Sequence, residues 1–344
     1  MNKSQQAKSQ LHPTFHFQFQ KNYLYTVNRI LIIQTAFLGD AILATAVVKE
    51  AHRLFPLAKI DFLVKKGNES LLANNPKINA VYTLDKAFGK FREIRRLTKE
   101  FRANQYDIVF NFHRFGSSGM ITILSGAKQK YGFEKNPFSS FFTKRFEHTI
   151  GDGTHEVTRN LSMLKEFGAE SLVQPELFPS EANFQKVAPF KTGNYYCMAP
   201  ASVWFTKQLP QHKWVELIST LNKDAIIYFL GAENDAELCA TIIKTSGTQN
   251  CVNLAGKLNL LDSAALMKDS TRNFVNDSGP LHIASAMNAP VTSFFCSTVP
   301  AFGFGPLSDD SIIKEVSGLE CKPCGIHGHK ECPKGHFKCG EIDV

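Results

Sequence analysis

Read for its pattern of apolar and polar positions, the chain gives its clearest signal at Arg29–Gln34 (RILIIQ), where four apolar residues stand in a row. Such a run predicts a strand buried on both faces, as in parallel sheets. A turn at Thr35–Gly39 follows, and then Asp40–Leu54 carries Ile42, Leu43, Ala46, Val47 and Leu54 at helical spacing. Pro56 ends that helix. The same reading gives strands at Lys59–Val64, Val81–Leu84, Asp107–Phe112 and Lys130–Phe133, with a basic helix over Lys90–Ala103. Strands alternating with helices predict a parallel α/β sheet with right-handed crossovers.

The pattern weakens where Pro175, Pro179 and Pro189 fall among polar residues, and a domain boundary is placed there. It then restarts. Strands are expected at Tyr195–Ala199, Ala225–Leu230, Asn273–Val275 and Val291–Cys296, with helices at Gln211–Leu221, Asn234–Lys244 and Pro280–Ala286. The expected organisation is a tail (1–28), two doubly wound α/β domains (29–185 and 186–316) and a Cys/His-rich tail (317–344). Ligands of such sheets sit at the carboxyl ends of the strands, so the cleft between the domains is the expected site.

Composition narrows the class. Of 344 residues, 43% are hydrophobic and 20% charged, an ordinary globular balance with enough chain for two cores. The net charge of +8 points to an anionic partner without choosing between nucleic acid, a membrane surface and a phosphorylated sugar. No run reaches the roughly 18 to 20 apolar residues of a membrane helix. Residues 1–28 lack the apolar core of a secretory signal, so a cytoplasmic protein is expected. Cys197, Cys239, Cys251 and Cys296 lie in apolar segments and read as reduced thiols.

Five constellations could carry chemistry. Gly39-Asp40 follows the first strand at a helix start, where a carboxylate facing the cleft can take a proton from a hydroxyl; an ordinary helix cap is the competing reading. The turn lacks G-x-G-x-x-G, which argues against a nicotinamide enzyme. Asp277-Ser278-Gly279-Pro280-Leu281-His282 opens a second helix, whose amide groups can bind phosphate and whose His282 lies one turn inside. Ser202, Thr206 and Lys207 form a polar loop after a strand, with Lys207 able to pair with a phosphate. Glu233 or Asp235, after Ala225–Leu230, suits ribose hydroxyls or a helix cap. Finally, Cys321, Cys324, Cys332 and Cys339 crowd the end of the chain, a ligand count that suits structural zinc although the spacing is not a standard one.

Together these segments resemble glycosyltransferase family 9, the ADP-heptose:lipopolysaccharide heptosyltransferases. The likeness runs through Ile30–Val64, Asn74–Asp85, Tyr106–Phe112, Met198–Ile218, Asn253–Met267 and Phe274–Phe295, and FVNDSGPLHIASA within the last is its most specific stretch. The resemblance implies a GT-B architecture of two Rossmann-like domains, with the acceptor on the first and the nucleotide sugar on the second. It implies Asp40 as catalytic base of an inverting transfer and Lys207 as donor-phosphate lysine. It places Asp277, Ser278, Gly279 and His282 in the donor turn, with Glu233 or Asp235 on the nucleotide. No metal or other cofactor is then expected in catalysis. The acceptor would be an acidic lipid-linked saccharide at the inner face of the membrane. Lys128, Lys130, Lys135, Lys144 and Arg145 are expected to attract it or the membrane. Two alternatives are weighed: transfer of another sugar to a different envelope glycan, and a basic zinc-bearing nucleic-acid binder. The second lacks the basic, aromatic-interleaved run of single-strand binders.

Overall fold

The computed structural model describes residues 27–344; the expected tail at 1–28 lies almost wholly outside them. The first half runs β1 (Arg29–Gln34), α1 (Leu38–Leu43), α2 (Thr45–Leu54), β2 (Lys59–Lys65), β3 (Ala80–Leu84), α3 (Lys90–Asn104), β4 (Ile108–Asn111), α4 (Gly116–Leu124), β5 (Gln129–Phe133), β6 (Lys144–Phe146) and α5 (Glu156–Leu161). The second runs α6 (Glu181–Val187), β7 (Tyr195–Ala199), α7 (Gln211–Thr220), β8 (Ile226–Phe229), α8 (Ala236–Ser246), β9 (Cys251–Asn253), α9 (Leu260–Lys268), β10 (Arg272–Asn276), α10 (Gly279–Ala286), β11 (Val291–Phe295) and β12 (Ser311–Glu315).

The strands form two six-stranded parallel sheets, ordered β3-β2-β1-β4-β5-β6 and β12-β11-β10-β7-β8-β9. Counted from its own first strand, each sheet has the doubly wound order, with its switch point beside the first strand. β1 shows why the order holds. Its side chains alternate between two buried layers, Ile30 and Ile32 on one face and Leu31 and Ile33 on the other. A strand so placed can only be central, and each of these residues contributes roughly 1.5–3 kcal/mol by burial.

Two departures from the sequence reading bear on the site. The helix expected over Asp40–Leu54 starts at Leu38 and breaks at Ala44. The Thr45 hydroxyl donates to the Ile42 carbonyl at 2.6 Å and accepts from the Glu176 amide at 2.9 Å, diverting the local bonding. The proline-marked segment holds a helix, α6, started by Ser180. Its Lys186 and Asn183 bind the buried Asp262 of α9 at 2.6 and 2.7 Å, which fastens the segment to the second sheet.

Candidate active site

Both switch points open onto one cleft of about 790 Å³. Phe37, Leu38, Gly39 and Asp40 line it from the first half, and Ser202, Lys207, Asp235, Asp277, Ser278, Gly279 and His282 from the second. The floor is where α1 and α10 meet end to end. A Cβ on Gly39 would stand 2.5 Å from His282 Cδ2, and one on Gly279 would stand 2.7 Å from Leu38 Cδ2. Gly39 needs glycine because the buried His282 ring stands this close, whereas at Gly279 the neighbour is the tip of the flexible Leu38 side chain.

Asp40 occupies the first turn of α1, where its Oδ2 accepts from the Phe37 amide at 3.1 Å. The capping and cleft-facing readings of this residue therefore both describe it. Burial pushes its pKa up to about 7, helped by the nearby Glu156 and opposed by the Phe37 amide and Lys207. Glu156 is itself held by His148 at 3.2 Å and Arg159 at 2.9 Å. Arg159 also donates to the Phe302 carbonyl of the second half at 2.7 Å.

Across the cleft Lys207 Nζ lies 2.8 Å from Asp277 Oδ2, and the Thr298 hydroxyl donates to that same oxygen at 2.6 Å. The loop bearing Ser202 and Lys207 is hung from β10. The buried Asn276 side chain donates to the Pro200 carbonyl at 2.8 Å and accepts from the Leu209 amide at 2.9 Å. His282 is 4% exposed, and its Nδ1 has no hydrogen-bond partner among the described residues. Burial holds its pKa down to about 4, against the pull of Asp277, so the imidazole is neutral.

The remaining expected residues divide. Asp235 lines the cleft while its Oδ2 accepts from the Ala232 amide at 2.7 Å, whereas Glu233 stays exposed and off the lining. Thr206 is buried behind the cleft, its hydroxyl accepting from the His329 amide at 2.8 Å. Lys130, Lys144 and Arg145 sit at the amino ends of β5 and β6, remote from the cleft. Lys130 donates to the Ala127 carbonyl, Lys144 pairs with Glu166 at 2.8 Å and Lys128 pairs with Asp107 at 2.7 Å. Lys135 follows β5 on the cleft side and donates to the His148 carbonyl at 2.6 Å.

The tail thiols are free, as are the other four. Cys339 is buried and its pKa is pushed up to about 11 by burial and by the neighbouring Cys324, Cys332 and Cys321. Cys321 Sγ lies 3.9 Å from His336 Nε2, but among the described residues no three ligating side chains are arranged to hold a metal ion. Phe37 and His327 line the cleft without having been anticipated there, and Glu156 acts on Asp40 from behind it. Phe37 lies within the anticipated Thr35–Gly39 turn, whereas Glu156 and His327 are distant from it in sequence.

Two doubly wound sheets opening on one cleft, with a carboxylate of raised pKa on one side and a lysine beside a helix-started turn on the other, define a GT-B glycosyltransferase. The family model for glycosyltransferase family 9 (heptosyltransferase) matches residues 94–336. A lipopolysaccharide heptosyltransferase 3 of Escherichia coli is 30% identical over 292 residues, covering 80% of this chain and 85% of that protein. Among solved structures, a family 9 glycosyltransferase of Veillonella parvula superposes with a TM-score of 0.76 at 20% identity, over 84% of this chain and 86% of its own. E. coli ADP-heptose lipopolysaccharide heptosyltransferase II gives 0.72 at 20% identity, over 86% and 95%. The chain belongs to glycosyltransferase family 9, the heptosyltransferases.

Proposed function

We propose that this enzyme moves a heptose from ADP-heptose to the inner core of lipopolysaccharide, with Asp40 as the base. The acceptor hydroxyl attacks the anomeric carbon as the bond from that carbon to the phosphate oxygen breaks. Its proton passes to Asp40, the configuration inverts and ADP leaves. The observation that carries the reading is Asp40 itself, a carboxylate on the cleft wall poised to titrate at about 7. A base so placed is partly ionised at neutral pH and strong enough to accept a hydroxyl proton. Lys207 and the start of α10 face the place where a leaving diphosphate gains charge, and supply the stabilisation a divalent ion could otherwise give.

The first half is proposed to take the acceptor, with Lys135 on its cleft side, and the second to take the nucleotide, with Asp235 rather than Glu233 toward the ribose. No described helix is long and apolar enough to cross a membrane. Peripheral contact with the inner membrane from the cytoplasm is assigned to the basic surface around Arg145. Cys321, Cys324, Cys332 and Cys339 are assigned a structural zinc that would draw these neighbouring thiols together. Metal content near zero in protein purified without chelator would end that assignment.

The test is ADP release from ADP-heptose with a truncated inner-core acceptor. Wild type should release ADP only when the acceptor is present, and Asp40→Ala should lose about 10²–10⁴ of the rate. Release that survives in the variant would remove Asp40 from this role. ADP binding without release would move the search to other sugars and acceptors.

A further inference from the structure

The cysteine-rich tail is a wall of the cleft. From Cys321 the chain turns back over the carboxyl end of the second sheet. Lys322 Nζ donates to the Phe295 carbonyl at 2.8 Å and pairs with Glu315 at 2.7 Å, and the Cys324 amide donates to the Ser297 carbonyl at 2.9 Å. Two residues beyond His327, the chain is fastened again. The His329 amide donates to Thr206 Oγ1 at 2.8 Å, and the Thr206 amide donates back to the His329 carbonyl at 3.1 Å. Cys339 and Ile342 then enter the core of the second half. The segment is thus an arch with both feet fixed.

At its crown stand Ile326 and His327, both lining the cleft. Gly325 and Gly328, at φ of +101° and +75°, make the bends on either side. A Cβ at Gly328 would be 3.0 Å from Lys207 Cγ, so the arch lies directly on the loop that carries Lys207. The His327 ring is exposed at the rim, its centroid 6.2 Å from that of Phe37 on the opposite half. Among the described residues neither of its nitrogens has a hydrogen-bond partner. Partial burial and the cations Arg114 and Lys207 hold its pKa below the ordinary imidazole value, opposed by Asp277. An arriving anion would find at this one place an ammonium and an unengaged imidazole N–H.

We propose that His327 is a ligand-contacting residue of the cleft, donating a hydrogen bond to the sugar-side phosphate of a nucleoside diphosphate whose charge is met by Lys207. This rests on the reading of the cleft as the nucleotide-sugar site.

Calorimetric titration of the full chain with ADP and with AMP tests it, using wild type, His327→Ala and His327→Asn at matched melting temperature. The expected result is about tenfold weaker ADP binding by His327→Ala, the effect of one charge-assisted hydrogen bond, with AMP binding unchanged. His327→Asn, which keeps a donor, should recover most of the loss. Equal weakening of AMP and ADP would overturn the proposal and leave the arch a purely structural role, as would unchanged ADP binding by His327→Ala. Failure of wild type to bind ADP at all would sink the donor-site reading and this inference with it.

Discussion

The Lys207 ammonium is 2.8 Å from the Asp277 carboxylate, and both side chains line the cleft. Side-chain exposures of 15% and 6% make this a largely buried pair. Under the proposed function a diphosphate shares Lys207 with Asp277, which fixes the direction of the ammonium.

Lys207→Met should leave Asp277 with Thr298 as its remaining side-chain partner. A broken buried pair of this kind costs about 3–5 kcal/mol, readable by urea unfolding. Donor KM should rise more than tenfold in the same variant. A stability change without a donor effect would confine Lys207 to structure.

The acid limb of kcat/KM against pH should show an apparent pKa of about 7, with activity rising as Asp40 loses its proton. Glu156→Gln removes a like charge and should move that limb to lower pH. The glutamine still accepts from Arg159, so the fold should persist. An unmoved limb would mean that Asp40 does not sense Glu156.

The same carboxylate makes a prediction about stability. Its folded-state pKa lies above the unfolded value of 3.8, so the folded chain holds the proton more tightly. Its contribution is best at low pH and is lost as pH rises from about 4 toward 7. Asp40→Asn should therefore unfold later than wild type at about pH 8 and show no such gain at about pH 4. Thermal melts at the two pH values decide it.

Gly39→Ala should be worse than Gly279→Ala. The first drives a methyl into the buried His282 ring, whereas the second meets only the end of the Leu38 side chain, which can turn away. Overpacking of the first kind costs about 1–3 kcal/mol, and it also displaces the Asp40 turn. Melting temperature and kcat measured side by side should both rank the variants in this order.

Much of this was legible in the chain. RILIIQ could be only a central strand, and FVNDSGPLH placed a strand, a turn and a helix start in a fixed order. Edge strands were harder: β6 (KRF) and β12 (SIIKE) are largely exposed and carry little apolar signal. Helix α6 was hidden by flanking prolines, although Ser180 three residues before Asn183 was a visible cap. Lys130 and Lys144 could have been set aside, because each stands at the start of its strand while ligands gather at strand ends. His327 could not be found by spacing, since the arch that brings it to Lys207 depends on tertiary hydrogen bonds. The glycines at 325 and 328 were the one local hint.

The Asn276 amide grips the Pro200 carbonyl and the Leu209 amide, so the loop between them owes its attachment to a residue outside itself. Val203, 78% exposed, stands between those anchors and on the cleft lining. Thr206 is pinned in turn by His329, so the stretch from Ala201 to Phe205 is a replaceable cartridge between fixed points. Selection can rewrite its interior to admit a different sugar while the frame that presents Lys207 stays in place.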